Sequence, residues 1–213
     1  FPTRRSSDLS YTVTYDSDGG STAPTESNQN IGSLITVKPA VTKTGYAFVG
    51  WSTGGVTYGP GASYQVGSSN LTFTAIWSAN SYNLSYDLNG GTSAVPSSTT
   101  KTYQQSVTTP SAPERAGYNF ANWSDGNTTV NHSSNYTMPA NDAVLTAQWS
   151  VIDRTVTYDA NSGSTAPTGL TGKHIGETFT VGAAVTRAHY RFIGWSDGAN
   201  TYLPGQSYVV GNG

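Results

Sequence analysis

GYAFVGW at Gly45 to Trp51 returns as GYNFANW at Gly117 to Trp123 and as HYRFIGW at His189 to Trp195. The three closing tryptophans stand 72 positions apart, and the same step carries Tyr46 to Tyr118 to Tyr190 and Trp77 to Trp149. Self-similarity at a fixed step marks tandem units, so the chain reads as three copies of one module. The opening phrases agree: YTVTYDSDGG from Tyr11, YNLSYDLNGG from Tyr82 and RTVTYDANSG from Arg154, with a one-residue length change in the loop behind. Copies one and two are read as residues 10–79 and 80–150. The third, 151–213, has no segment matching LTFTAIW, so it is expected to be an incomplete module lacking its last strand.

Inside a copy the period is two. Tyr11, Val13 and Tyr15 alternate with Thr12 and Thr14, and Phe73, Ala75 and Trp77 do the same, which puts one set of side chains on each face of a strand. In the middle phrase Tyr46 and Phe48 share a face, while position 47 is Ala, Asn or Arg across the copies. Ile35 with Val37, matched by Val107 with Thr109 and Phe179 with Val181, marks a further short strand. Tyr64 with Val66, matched by Tyr136 with Met138 and Tyr208 with Val210, marks a fifth. Turn clusters such as DSDGG and YGPG separate these runs. The expected fold is mainly β with little or no helix: three small modules of about 72 residues, the third truncated.

A module this small buries only a modest fraction of its surface and needs staples or large core side chains. There is no cysteine, so the rings must serve. The expected structural core is Tyr46, Phe48, Trp51 and Trp77, then Tyr118, Phe120, Trp123 and Trp149, then Tyr190, Phe192 and Trp195. Each buried ring removes roughly 150 to 250 Å² from water. The rival reading makes these rings an exposed ligand platform. Few residues separate Trp77 from Tyr82 or Trp149 from Arg154, so the modules are expected to stack end to end as a monomeric rod with limited rocking.

The ordered phrases YTVTYDSDGG or YNLSYDLNGG, GYAFVGW, and LTFTAIW or VLTAQW resemble the Listeria/Bacteroides repeat family, also called the internalin B-repeat, over nearly all of residues 10–213. The resemblance implies a small β-grasp-like module, found in tandem in large bacterial surface or secreted proteins and associated with adhesion or with spacing other domains. It therefore implies an extracellular, cell-surface or cell-wall location, and it supplies no catalytic residues. Two departures bear on turn geometry: His189 stands where the other copies have Gly, and Asn161-Ser162-Gly163 replaces Asn-Gly-Gly.

No enzyme is expected. His132, His174 and His189 fall at unrelated positions of their modules, and no G-x-S-x-G, P-loop, H-E-x-x-H or dinucleotide pattern occurs. Asp16-Ser17-Asp18 starts like a calcium loop, echoed at Asp87 and Asp159, but the closing carboxylate is missing: eleven positions on stand Ser27, Ser98 and Leu170. Strand-ending turns are expected there instead, with no metal and no cofactor. A net charge of -2 offers nothing to nucleic acid, and no apolar run approaches the roughly 20 residues that span a bilayer.

One cation recurs. Lys43, Arg115 and Arg187 each stand three residues before the tyrosine of the aromatic phrase. They either pair with Asp16, Asp87 and Asp159 or lie over a ring, or they form a basic stripe for a cell-wall polymer, a glycan or a host surface protein. Residues 1–9, FPTRRSSDL, match nothing later and resemble a translated sequencing adapter, so they are set apart from the fold.

Overall fold

The computed structural model describes residues 9–25 and 28–211. Apart from Leu9, the foreign-looking first stretch therefore lies outside the described residues. Strands and turns make up the whole description, with no helix among the described residues. Two compact units divide the chain: the described parts of Phe1–Ser85, Ser98–Val107 and Asn135–Ala143, and those of Tyr86–Ser97, Thr108–Ser134 and Val144–Gly213.

In the first unit the opening strand Ser10–Asp16 lies parallel to the closing strand Leu71–Ala79, with Tyr15 opposite Phe73. The middle strand Tyr46–Thr53 runs antiparallel on the other side of the closing strand, with Phe48 opposite Trp77 and Trp51 opposite Ala75. Asn28–Asn30 and Val56–Tyr58 extend the edges to five strands. The closing strand is thus central and pairs on both sides. A separate ladder joins Leu34–Thr36 to Ser63–Gln65. Between these layers Val13, Tyr15, Ile35, Val37, Val41, Trp51, Val66, Phe73 and Ala75 form one buried cluster.

Between Phe48 and Gly50 the register shifts, which makes Val49 the extra residue of a β-bulge. Val49 stands 53% exposed, and the shift returns Trp51 to the face of Phe48. At Gly50 beside it the space is tight, since a Cβ would sit 3.0 Å from the Tyr58 carbonyl oxygen and closer still to the Thr57 methyl. The second repeat repeats the bulge between Phe120 and Asn122, in the pairing of Tyr118–Ser124 with Ala143–Val151.

Within the first unit, Ser81 to Leu84 of the strand Ser81–Asp87 pair antiparallel with the strand Thr99–Thr102. In the second unit, besides the pairing just named, Trp123 and Ser124 pair with Val130 and Thr129. The third repeat keeps three two-stranded ladders: Arg154–Val156 with Leu170–Lys173, Thr178–Thr180 with Ser207–Val209, and Trp195–Ser196 with Thr201–Tyr202. Its aromatic phrase is strand only at Trp195–Ser196, and no closing strand pairs with it among the described residues.

Candidate functional site

Three constellations recur and were the candidates for chemistry. The first is the central tryptophan. Trp51 and Trp123 are fully buried. Trp51 Nε1 donates to the Lys38 carbonyl at 3.0 Å, Trp123 Nε1 to that of Pro110 at 3.4 Å, and Trp195 Nε1 to that of Gly182 at 3.2 Å. Each indole also makes an edge contact with the tyrosine of its opening phrase: Tyr15 at 4.8 Å, Tyr86 at 5.5 Å and Tyr158 at 4.8 Å. Burial pushes the Tyr86 phenol above its ordinary value. Phe48, Phe120 and Phe192 add a second edge contact to their tryptophans, at 5.3, 5.4 and 5.3 Å.

The second is the turn after the opening strand. Asp16, Asp87 and Asp159 each accept, through Oδ1, the backbone N–H two residues on, at 2.9, 2.8 and 2.8 Å. That is an Asx turn, and it spends the carboxylate on the backbone. Trp77 and Trp149 lie across the turn, their Nε1 donating to the Ser17 and Leu88 carbonyls at 3.1 Å in both repeats. This explains the second glycine of DSDGG, because a Cβ on Gly20 would sit 2.7 Å from Trp77 Cζ2 and 2.9 Å from the Thr42 carbonyl oxygen. Gly20→Ala is expected to destabilise the first repeat by about 1 to 3 kcal/mol through overpacking, read as a shifted denaturation midpoint. The third repeat keeps the second glycine as Gly163 but has Ser162 in place of the first, and Ser162 adopts φ 63° where Gly19 has 76°.

The third is the recurrent cation. Lys43 Nζ donates to the Asp18 carbonyl at 2.6 Å, and Nη1 of Arg115 and Arg187 to those of Asn89 and Asn161 at 3.0 and 3.1 Å. Each also lies over its own tyrosine: Lys43 over Tyr46 at 5.0 Å, Arg115 over Tyr118 at 4.0 Å and Arg187 over Tyr190 at 4.2 Å. Pairing with Asp16, Asp87 or Asp159 is not what holds these cations. Those carboxylates face their own loop amides, and Lys43 meets Asp18 instead, at 3.5 Å.

The expected core residues do not share one environment. Tyr46, Phe48, Trp77, Tyr118, Phe120 and Trp149 are half-buried, each with one flank toward solvent. In the third repeat Phe192 and Trp195 are half-buried and Tyr190 is 67% exposed, so Tyr190 is not a core residue here. Tyr46 pairs with Ala79 and Tyr118 with Val151, whereas no described strand of the third repeat holds that place beside Tyr190. A groove of about 830 Å³ opens in its place, lined by Tyr158, Phe179, Phe192, Trp195 and Tyr208 among others.

The histidines stay apart: His132 lies against Phe120, His174 Nε2 meets Asp153 at 3.1 Å, and His189 is exposed on its turn. Among the described residues no three His, Asp or Glu side chains gather as metal ligands, and no helix is long and apolar enough to cross a membrane.

Comparison with known proteins follows the same periodicity. The profile of the Listeria-Bacteroides repeat domain matches residues 11–76, 82–148 and 155–212. A putative membrane protein of Evansella cellulosilytica is 31% identical over 216 residues, spanning 95% of this chain and 31% of that protein. Internalin H of Listeria monocytogenes is 32% identical over 164 residues, spanning 75% of this chain and 28% of that protein. The chain thus corresponds to less than a third of the length of either relative. Among solved structures, domains 3-4 of the Streptococcal High Identity Repeats in Tandem from a cell surface protein align over 67% of this chain and 98% of theirs. The identity is 14% and the TM-score 0.27, too loose a likeness to carry an argument. With three matched segments in the order and spacing of its own aromatic phrases, the chain belongs to the Listeria-Bacteroides repeat domain family.

Proposed function

We propose that the chain is a non-catalytic spacer segment of a bacterial cell-surface protein, exposed outside the cell, whose repeats set distance between other parts of that protein. The observation that carries this reading is where the recurrent side chains spend their bonding capacity. The central indole is inside in the first two repeats, the turn carboxylate accepts its own loop amide, and the cation lies on its own tyrosine while donating to a turn carbonyl. An internal arrangement repeated in register is what a structural unit needs. Among the described residues it leaves no convergent polar cluster of the kind catalysis uses. The surface setting is supported by the names of the relatives, one a putative membrane protein and one an internalin.

The competing reading makes Lys43, Arg115 and Arg187 contacts for a cell-wall polymer, a glycan or a host surface protein. Binding of the full chain to glycan, wall-polymer and matrix-protein arrays separates the two. A spacer shows no saturable signal. Saturable binding that disappears in Arg115→Ala, with the fold intact by circular dichroism, would replace the spacer with a binding module.

A further inference from the structure

A repeat meets the next one at a glycine. Gly45 has φ 80° and is buried, and its carbonyl accepts the Asn80 N–H at 2.9 Å. The Asn80 carbonyl in turn accepts the Tyr103 N–H at 2.8 Å, so one backbone node links the two repeats. The Tyr103 ring lies directly over Gly45, in the space a Cβ would take, and packs edge-on to Tyr46 at 5.4 Å. Beside it Tyr46 Oη donates to Gln104 Oε1 at 3.2 Å.

The second junction repeats the glycine, its backbone bond and the apolar side chain over it. Gly117 has φ 81°, and its carbonyl accepts the Ile152 N–H at 2.8 Å. A Cβ on Gly117 would lie 3.1 Å from Ile175 Cδ1 and 3.2 Å from Ile175 Cβ. Tyr103 follows Gly45, and Ile175 follows Gly117, by the same 58 positions. The rings and branches differ, but the bare backbone beneath them does not. At the upstream end Ile31 holds the position of Tyr103, half-buried, with its N–H donating to the Leu9 carbonyl at 2.9 Å as Tyr103 donates to Asn80. Leu9 thus supplies the first repeat with a backbone acceptor, a role open to any residue type.

The third repeat departs at one point. His189 occupies the glycine position at φ 65°, and the turn around it is unchanged: Tyr190 N–H donates to the Arg187 carbonyl at 3.0 Å, as Tyr46 does to Lys43 at 3.0 Å and Tyr118 to Arg115 at 3.1 Å. With the same turn, the Cβ of His189 points where Tyr103 and Ile175 sit in the first two junctions.

We propose that Gly45 and Gly117 are the sockets of a repeat–repeat docking surface whose ligand is the large apolar side chain 58 positions on, and that His189 closes this socket in the third repeat. The partner that fits an open socket is another repeat of this kind, presenting an isoleucine or tyrosine at the position of Ile31. A repeat bearing histidine docks no successor in that register, and the array gains a joint where histidine stands. None of this depends on the spacer reading, because the surface would govern repeat geometry in a binding protein as well.

Amide hydrogen exchange of the full chain tests it at two junctions. At the first, Gly45→Ala is combined with Tyr103→Ala in a double-mutant cycle. Gly45→Ala alone should speed exchange at the Asn80 amide by about tenfold or more, and by about threefold or less when Tyr103 is already alanine. An equal effect in both backgrounds would mean that the glycine serves only its φ, and the socket would be overturned. At the second, Gly117→His should speed exchange at Ile152 by about tenfold or more while the Thr109 amide of the same repeat stays within about twofold. An unchanged Ile152 overturns the closing role of His189. So does equal loss at Thr109, since histidine would then be acting through the turn that His189 keeps intact.

Discussion

Trp123→Ala is expected to lower the stability of the second repeat by roughly 3 to 5 kcal/mol, the range for truncating a fully buried large aromatic. Trp123 has no exposed surface. Its ring meets the edges of Tyr86 at 5.5 Å and Phe120 at 5.4 Å, and its Nε1 donates to the Pro110 carbonyl. The substitution therefore removes two edge contacts and one of the two donors to the Pro110 carbonyl, and opens a cavity where the indole was. Small domains carry roughly 0.05 to 0.15 kcal/mol of stability per residue. About 70 residues then hold only about 3.5 to 10 kcal/mol, so the loss is a large part of the whole. Calorimetry should show one component shifted far downward or absent. Val49→Ala is the counterpart, since Val49 is the exposed bulge residue and its loss should change stability by less than about 0.5 kcal/mol. A melting profile of Trp123→Ala that overlays the parent would show that the indole is not packed as described.

Much of this arrangement is legible in the chain because alternation and period report faces directly. Tyr11, Val13 and Tyr15 mark a strand with one apolar face, and Val13 and Tyr15 lie in the core cluster. The short strands around Ile35 and Tyr64 appear where their spacing of two places them, as Leu34–Thr36 and Ser63–Gln65. The bulge at Val49 is less visible, although its trace is present. Phe48 and Trp51 are three apart and share a face, which strict alternation forbids unless one residue is extra. Val56–Tyr58 was not read from the sequence, although Gly54-Gly55 just before it, a two-glycine hairpin turn at φ 56° and 79°, is a signal that could have found it.

That the cations could lie over a ring was legible, but the acceptors of their hydrogen bonds were not, for a geometric reason. Sequence spacing places Lys43, Arg115 and Arg187 near the turn aspartates, but it does not reveal that those aspartates have already turned inward to cap their own loops. Once a carboxylate accepts an adjacent amide, the cation finds the next acceptors along the turn, which are backbone carbonyls and the face of the tyrosine three residues on. The exposure of Tyr190 is the tertiary counterpart. Its phrase matches the other two, yet burial depends on a strand contributed from elsewhere in the repeat.

That dependence predicts a large difference in local stability, measurable through one hydrogen bond present in all three repeats. The amide of Val37 donates to the Ala62 carbonyl, that of Thr109 to Ser134 and that of Val181 to Gln206, each at 2.8 Å. The donors are 3% exposed at Thr109, 1% at Val37 and 5% at Val181, so bond and burial are nearly equal and exchange reports the opening of the surrounding structure. In the first repeat that structure includes Leu71–Ala79, which pairs with strands on both sides and contributes the buried Phe73 and Ala75. In the second, Ala143–Val151 contributes the buried Leu145 and Ala147. Among the described residues the third repeat has no such strand, and Tyr190, Ile193 and Val209 are exposed at 67%, 76% and 58%. Burying one large apolar side chain is worth about 1.5 to 3 kcal/mol, and the closing strand buries more than one. The Val181 amide is therefore expected to exchange at least about a hundredfold faster than those of Val37 and Thr109, corresponding to about 2.7 kcal/mol or more of lost opening free energy. Protection at Val181 equal to that at Thr109 would mean that the ladder of Thr178–Thr180 with Ser207–Val209 holds the repeat without a central strand. The closing strand would then not be the element on which each repeat depends.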